Sequence, residues 1–381
     1  MMLRVNTDIP FGNACEVSVV ENNGLSAVSF TPDPHGGPEC LWFCLRIECE
    51  EPTPCENGRL RLVIKHADTA LGLASNPTGV RPVIRTAGGD WERLGEVEQR
   101  YLPDGRFTFV WEIDRPSKYA DVALCYPYGT DDVELLAEEC TPAFRLDSIG
   151  VSQDARSIMR LSNDYGSVDR ERPGVYLTAR QHSGETPGSW VLDGFLRRTR
   201  EQGDTAPLVW AVPLTNIDGV VEGDYGKDNF PYDLNRAWGS PPMRHETLVM
   251  MADIHRWAKR CNPALAIDFH GPGGSESEGA YTFVPAPESD APMKDETASW
   301  AHTIVEAMGP YAKQETPVRV ARYASRWETP GMTEYFRNEH GVPALTIETP
   351  YAMCGQTVMT REEYRALGAR IADGVTARLN G

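Results

Sequence analysis

Over the first 140 residues, apolar and polar positions alternate in short stretches. Glu16-Val17-Ser18-Val19-Val20, Ala27-Val28-Ser29-Phe30, Leu60-Arg61-Leu62-Val63-Ile64 and Phe107-Thr108-Phe109-Val110-Trp111 approach a period of two, the mark of half-buried strands. Turn-forming clusters such as Pro32-Asp33-Pro34-His35-Gly36-Gly37-Pro38 separate them. Several short strands punctuated in this way predict an antiparallel β-sandwich domain over residues 1–140. Residues 131–139 then predict a short connecting helix. From residue 141 the texture changes. Continuous apolar runs, Gly174-Val175-Tyr176-Leu177-Thr178-Ala179, Ala264-Leu265-Ala266-Ile267-Asp268-Phe269 and Pro343-Ala344-Leu345-Thr346-Ile347, read as buried strands. Helical stretches alternate with them: around 190–196, over 246–260, from 298 onward, and over 361–379. Strands alternating with helices predict an α/β domain over residues 141–381, with a mixed central sheet and helices on both faces. No internal repeat and no long low-complexity linker interrupts the chain.

Each of the three apolar runs leads into a side chain able to bind a metal or move a proton. The first is followed by His182-Ser183-Gly184-Glu185, the second by His270 and the third by Glu348. In an open α/β sheet, sites form outside the carboxyl ends of the strands. Two His and one carboxylate make a catalytic zinc set that leaves a fourth position for water. A further carboxylate beside it accepts that water's proton. On this reading His182, Glu185 and His270 are the zinc ligands and Glu348 is the general base. Between the first-strand and second-strand residues lies Asp233-Leu234-Asn235-Arg236, whose guanidinium suits a carboxylate. A lone histidine after a strand is ordinarily a loop residue. Four such residues at four matching positions argue for a site.

These residues also carry a family resemblance. Residues 179–190, Asn216-Ile217-Asp218-Gly219, Asp233-Leu234-Asn235-Arg236-Ala237-Trp238, Asp268-Phe269-His270-Gly271 and Thr346-Ile347-Glu348-Thr349 occur in the order seen in the zinc metallocarboxypeptidases. The sequence resembles the cytosolic, tubulin-processing branch of that family and its bacterial relatives. In the first third, Leu41-Trp42-Phe43-Cys44-Leu45-Arg46, Arg81-Pro82-Val83 and Cys125-Tyr126-Pro127-Tyr128 resemble the β-domain that precedes the catalytic domain there. The resemblance implies Zn2+ held by His182, Glu185 and His270, with Glu348 as base. It implies that Asn235 and Arg236 hold the terminal carboxylate of a peptide, and that Asp233 accepts a hydrogen bond from His182 and fixes its tautomer. The sequence departs from the family pattern in two places. The span from Val221 to Tyr232 contains no arginine to stabilise an oxyanion, and Lys227 is the cation available there. The substrate-binding tyrosine has no clear match; Tyr323 and Tyr335 are nearest.

Composition narrows the partners. A net charge of −18 argues against nucleic acid and anionic membrane surfaces. The N-terminal residues lack the apolar core of a signal peptide, and no apolar run is long enough to span a bilayer. Nine scattered cysteines without a C-x-x-C, one necessarily unpaired within the chain, suggest reduced thiols and a cytoplasmic protein. Cys40, Cys44 and Cys49 read as strand cysteines rather than a metal site. His245, His255 and His302 fall in expected helices. Gly271-Pro272-Gly273-Gly274 lacks the Lys-Ser or Lys-Thr of a phosphate loop and reads as an approach to the metal. Arg319, Arg322 and Arg326 read as an exposed charged segment, and residues 328–334 as part of the substrate wall. The expected activity is hydrolysis of a C-terminal peptide or isopeptide bond by a metal-activated water. The alternatives are an N-acyl amino acid amidohydrolase resembling aspartoacylase, and a zinc-binding module without catalysis. In proteins resembling aspartoacylase the extra β-domain follows the catalytic domain, whereas here about 180 residues precede His182. That order favours the carboxypeptidase.

Overall fold

The computed structural model describes residues 3–22, 25–37, 39–49, 58–72, 76–169, 171–227, 232–322 and 328–381. Cys55, Tyr323 and Arg326 lie outside the described residues. Two five-stranded sheets occupy the N-terminal third. One runs in the order Leu3–Asn6, Cys44–Cys49, Tyr119–Ala123, Val83–Thr86, Glu92–Arg93, and all its pairs are antiparallel. The other runs Cys15–Asn22, Leu25–Thr31, Arg59–Ile64, Phe107–Asp114, Glu98–Tyr101. It contains one parallel pair, Leu25–Thr31 with Arg59–Ile64, because the chain crosses to the first sheet between them. Alternation does what the pattern requires. Leu60, Leu62 and Ile64 are fully buried while Arg59, Arg61 and Val63 are less so. Phe30 of one sheet meets Phe43, beside the other, edge to face at 5.1 Å.

The helix Thr130–Glu139 leads into an eight-stranded sheet. Its four central strands, Leu208–Val212, Pro173–Ala179, Asn262–His270 and Ala344–Glu348, are parallel neighbours in that order. Antiparallel contacts begin on either side, with Ser157–Ser162 and with Tyr281–Val284. The central runs are mostly apolar because both faces are covered. Trp257 of helix His245–Ala258 and Phe336 of helix Met332–His340 pack on Tyr176 of one face. Helix Thr186–Gln202 covers the other, where a side chain at Gly188 would strike Phe269. Two helices, Ile217–Glu222 and Met332–His340, were not expected from the sequence: the first lies within the Asn216-Ile217-Asp218-Gly219 motif and the second begins inside the stretch read as substrate wall. No helix among the described residues is long and apolar enough to cross a membrane.

The helix Thr186–Gln202 starts directly after Glu185, so its packing against the last helix, Arg361–Asn380, helps to fix that residue. The two approach backbone to backbone. A Cβ at Gly368 would lie 1.9 Å from Val191 O, and one at Gly194 would lie 2.1 Å from Arg365 O. The buried carboxylate of Asp193 ties the pair, accepting from Arg197 Nε at 2.6 Å and Arg365 Nε at 2.7 Å. On an exposed helix face, Gly→Ala stabilises by about 1 kcal/mol. At Gly368 the sign reverses. Gly368→Ala is expected to destabilise by about 2 kcal/mol or more, because the helices must separate. Urea unfolding followed by circular dichroism checks this, and an unchanged or raised midpoint would contradict it.

Candidate functional site

After the strand Pro173–Ala179 the chain turns sharply through Arg180, which sits at φ 65°, a left-handed conformation uncommon outside glycine. The guanidinium of Arg180 is buried and satisfied by carbonyls, donating to Ser183 O at 2.5 Å and Tyr128 O at 2.9 Å. This turn delivers Gln181, His182 and Glu185 before the next helix begins. His270 and Glu348 end adjacent parallel strands and are register partners. Four residues from three widely separated segments thus meet at the carboxyl edge of one sheet.

The two imidazoles face one carboxylate. His182 Nδ1 lies 2.8 Å from Glu185 Oε1, and His270 Nδ1 lies 2.7 Å from Glu185 Oε2. One candidate ligand atom from each residue lies within 4.8 Å of the others, and among the described residues no other such group of three occurs. All three side chains are buried. Burial pushes the Glu185 carboxyl up, yet His182 and His270 together hold it far below the usual range. Burial pulls His270 down, but Asp268 and Glu185 raise it well above the ordinary value, and Glu185 and Asp233 do the same more weakly for His182. Such an arrangement holds positive charge between nitrogen and oxygen donors. A two-nitrogen, one-carboxylate set of this kind fits a divalent zinc ion.

The outer nitrogens differ: that of His270 is hydrogen-bonded, while that of His182 lacks the hydrogen bond to Asp233 expected from the sequence. His270 Nε2 lies 2.7 Å from Asp268 Oδ2, and Asp268 is fully buried. Thr178 Oγ1 donates to Asp268 Oδ1 at 2.7 Å, and Gln181 Nε2 donates to Oδ2. Trp238 Nε1 in turn donates to Gln181 Oε1 at 2.8 Å. His182 Nε2 faces Asp233 Oδ1 at 3.4 Å, close enough for charge attraction but too poorly aligned for a hydrogen bond. Tyr225 donates its hydroxyl to Glu185 Oε1 at 3.1 Å. Asp268 was legible in the sequence, since Asp268 and His270 are two apart on one strand and share a face. Tyr225 carried no such signal.

Asp233 caps the short turn Leu234–Arg236, accepting from Asn235 N at 2.9 Å. That turn presents Asn235, whose Nδ2 lies 3.3 Å from His270 Nε2, and Arg236, which donates to Asn235 O at 2.7 Å. Both line a cleft of about 760 Å³ together with His182, Glu185, His270 and Glu348. Residues Glu328, Thr329, Gly331, Thr333 and Glu334 form part of its wall. Arg337 also lines it, buried, with Nη1 on Ala344 O at 2.7 Å. Desolvation pulls this guanidinium down to about 10, so it stays charged at neutral pH.

Glu348 is partly open to the cleft, while its Oε2 is buried and has no hydrogen-bond partner. Burial lifts its carboxyl to about 7, although His270 opposes the rise. Lys227 lines the cleft too, with Nζ 3.1 Å from Glu39 Oε2. Tyr335 does not line the cleft. Its ring packs on Trp238 at 5.5 Å and its hydroxyl faces His340. Arg319 stacks on Tyr281 at 3.8 Å, and Arg322 pairs on the surface with Glu288. Cys44 and Cys49 are the ends of one strand. His245 and His255 lie in one helix and His302 in another.

Residues 171–366 match the succinylglutamate desuccinylase/aspartoacylase catalytic domain. The chain belongs to that family. Cytosolic carboxypeptidase 6 of Homo sapiens is 31% identical over 191 residues, which cover 45% of this chain and 38% of that protein. The chain therefore matches well under two thirds of that relative's length. In fold, the chain matches a metallo-carboxypeptidase from Burkholderia cenocepacia with a TM-score of 0.77 at 18% identity, covering 100% of this chain and 99% of the other. A metallo-carboxypeptidase from Pseudomonas aeruginosa, in complex with (2-guanidinoethylmercapto)succinic acid, gives a TM-score of 0.74 at 18% identity over 99% of both chains. The architecture, N-terminal sheets included, is that of the metallo-carboxypeptidases.

The link from Asp268 to His270 yields a test that does not depend on turnover. Asp268→Asn keeps the size but weakens the hold on His270 Nε2. It is expected to lower metal affinity by about 10–100-fold. Competition with a chromogenic chelator measures this, and an affinity equal to the parent's would show that Asp268 has no such role.

Proposed function

We propose that this protein is a zinc-dependent metallocarboxypeptidase that hydrolyses a C-terminal peptide or isopeptide bond. The observation that carries the reading is the shared cleft: a two-His, one-Glu metal set and the guanidinium of Arg236 open onto the same space. His182, Glu185 and His270 hold the ion, which when bound supplies a water of lowered pKa and polarises the substrate carbonyl. Asp233 orients His182. Arg236, with Asn235, grips the terminal carboxylate, a task a planar bidentate donor performs better than lysine. Lys227 supplies positive charge for the developing oxyanion. Glu348 takes a proton from the attacking water and returns it to the leaving amine. A carboxyl lifted to about 7 by burial suits both transfers. Arg337 adds a second guanidinium to the wall and supports a departing residue with an acidic side chain. The names of the cytosolic relatives support a cytoplasmic setting.

A second reading has a specific observation behind it. The matching family model describes desuccinylase and aspartoacylase catalysis, so hydrolysis of an N-acyl amino acid is the alternative. One panel separates the two: peptides with free or amidated termini, ending in acidic or apolar residues, beside N-succinyl and N-acetyl amino acids. Cleavage confined to the N-acyl compounds would overturn the carboxypeptidase reading.

Two variants test the roles. Glu348→Gln is expected to keep bound metal and substrate affinity and lose turnover by several orders of magnitude, about 10³-fold or more, since an amide accepts no proton. Near-normal turnover would require another base. For Arg236, the comparison is a cycle of enzyme variant against substrate end group. Removing one partner of a desolvated bidentate pair costs on the order of 2–5 kcal/mol. Amidating the terminus, or Arg236→Ala on the free acid, should therefore lower kcat/KM by roughly thirtyfold to several-thousandfold. The two changes together should cost little more than either alone. Fully additive losses would mean that Arg236 reads something else.

A further inference from the structure

The segment Gly223 to Lys227 carries two groups that line the cleft, Tyr225 and Lys227, and much of what holds it comes from the N-terminal third. Asn13 Nδ2 donates to Gly223 O at 2.9 Å. His35 Nδ1 lies 2.5 Å from Asp224 Oδ1. Glu39 Oε2 lies 3.1 Å from Lys227 Nζ. The segment is equally constrained from the catalytic side. Ser183 Oγ donates to Asp224 O at 3.0 Å, and Gly184 N donates to Tyr225 O at 2.8 Å. Between Tyr225 and Lys227, Gly226 takes φ 87°, and a Cβ there would fall 2.3 Å from Ser183 Oγ. The backbone leading to Lys227 is therefore pinned from both sides, whereas the lysine's flexible four-carbon side chain is not fixed by that backbone. Its direction is set by Glu39. Glu39 and Lys227 both line the cleft, and each side chain is about one-third exposed, 31% and 32%.

We propose that Glu39 is a positioning residue of the active site: supplied by the segment between the N-terminal strands Leu25–Thr31 and Cys44–Cys49, its carboxylate holds Lys227 over the metal-binding cleft. The inference rests on the reading of Lys227 as the group that meets the oxyanion. An ion pair this exposed adds little to stability. Its effect is on geometry, where a displacement of about 1 Å costs catalysis on the order of 100-fold. The N-terminal third then completes the catalytic machinery through a residue 188 positions away in the chain.

The experiment is a double-mutant cycle on the zinc-loaded full chain, with Lys227→Met, Glu39→Gln, both together, and Glu39→Asp. Lys227→Met should lower kcat about 100-fold or more. Glu39→Gln should lower kcat about tenfold with KM within about twofold of the parent's, and Glu39→Asp should restore part of the loss. In the Lys227→Met background, Glu39→Gln should change kcat by less than about twofold, because the residue it positions is gone. Amide hydrogen exchange supplies a readout independent of turnover: protection of residues 223–227 should stay at the parent's level in Glu39→Gln, since the backbone is held separately. Multiplying losses in the double variant would overturn the proposal while leaving the role of Lys227 intact, as would an unchanged kcat in Glu39→Gln alone. An unchanged kcat in Lys227→Met would instead remove the role of Lys227, and this inference with it. Loss of exchange protection in Glu39→Gln would overturn positioning in favour of a general loop anchor.

Discussion

Glu185 carries a negative charge at 3% exposure, and most of the catalytic half can be understood as a means of keeping it there. A buried carboxylate is costly unless paired and hydrogen-bonded on every side. Here both oxygens are engaged: Oε1 faces His182 and the Tyr225 hydroxyl, and Oε2 faces His270 and the Gly271 amide. Around it, Asp233, Asp268 and Glu348 add three more carboxyl groups. On the proposed reading the imidazoles are neutral metal ligands, so the acids need positive charge from elsewhere. A divalent ion is the compact way to provide it, with Arg236 and Lys227 contributing from the cleft. The depressed carboxyl of Glu185 and the raised imidazoles express the same demand.

The backbone satisfies that demand through parallel pairing. Because His270 and Glu348 end adjacent parallel strands in register, a candidate ligand and a candidate base arrive side by side without any special loop. His182 and Glu185 come instead from a turn that crosses a left-handed Arg180, and that turn needs outside support. Arg180 bonds to Tyr128 O, and Tyr128 OH in turn bonds to Asp193 of the following helix at 3.3 Å. The link before residue 140 is thus built into the metal turn. The same is true across the cleft, where Gly274 N donates to Leu71 O at 3.0 Å and the loop after His270 is seated on the N-terminal sheets.

These levels differ in how far the sequence exposes them. The parallel core strands were legible because burial on both faces leaves continuous apolar runs, and their last residues were legible because polar chemistry comes directly after. Helix Met332–His340 was not, since its buried side is only Met332, Phe336 and Arg337, and Arg337 reads as a surface charge until the fold buries it. The convergence of Glu39 on Lys227, or of Asn13 on Gly223, has no local signal at all: it depends on how two sheets seat against a third. The parallel pair in the N-terminal sheet was hidden for the same reason. Alternation reports which face of a strand is buried and is silent about its direction.

The turn Leu234–Arg236 shows why the metal and carboxylate sites should be considered together. Asp233 uses one oxygen, Oδ1, both to cap this turn and to face His182. Asn235 places its amide beside His270, and its Oδ1 accepts from Met332 N at 3.2 Å. The turn that carries Arg236 is therefore anchored to both imidazoles and to the helix behind the cleft. In a peptide, the terminal carboxylate lies a single residue from the last amide bond. An enzyme that reads the carboxylate and attacks that bond must hold its guanidinium at a set distance from the metal. Separate flexible loops would let that spacing drift, and orientation accounts for a large share of the rate. Sharing Asp233 between the two functions removes this freedom, because any shift of the turn also shifts the carboxylate that faces His182. On the carboxypeptidase reading, the restriction to one residue from the end stems from that shared carboxylate as much as from Arg236.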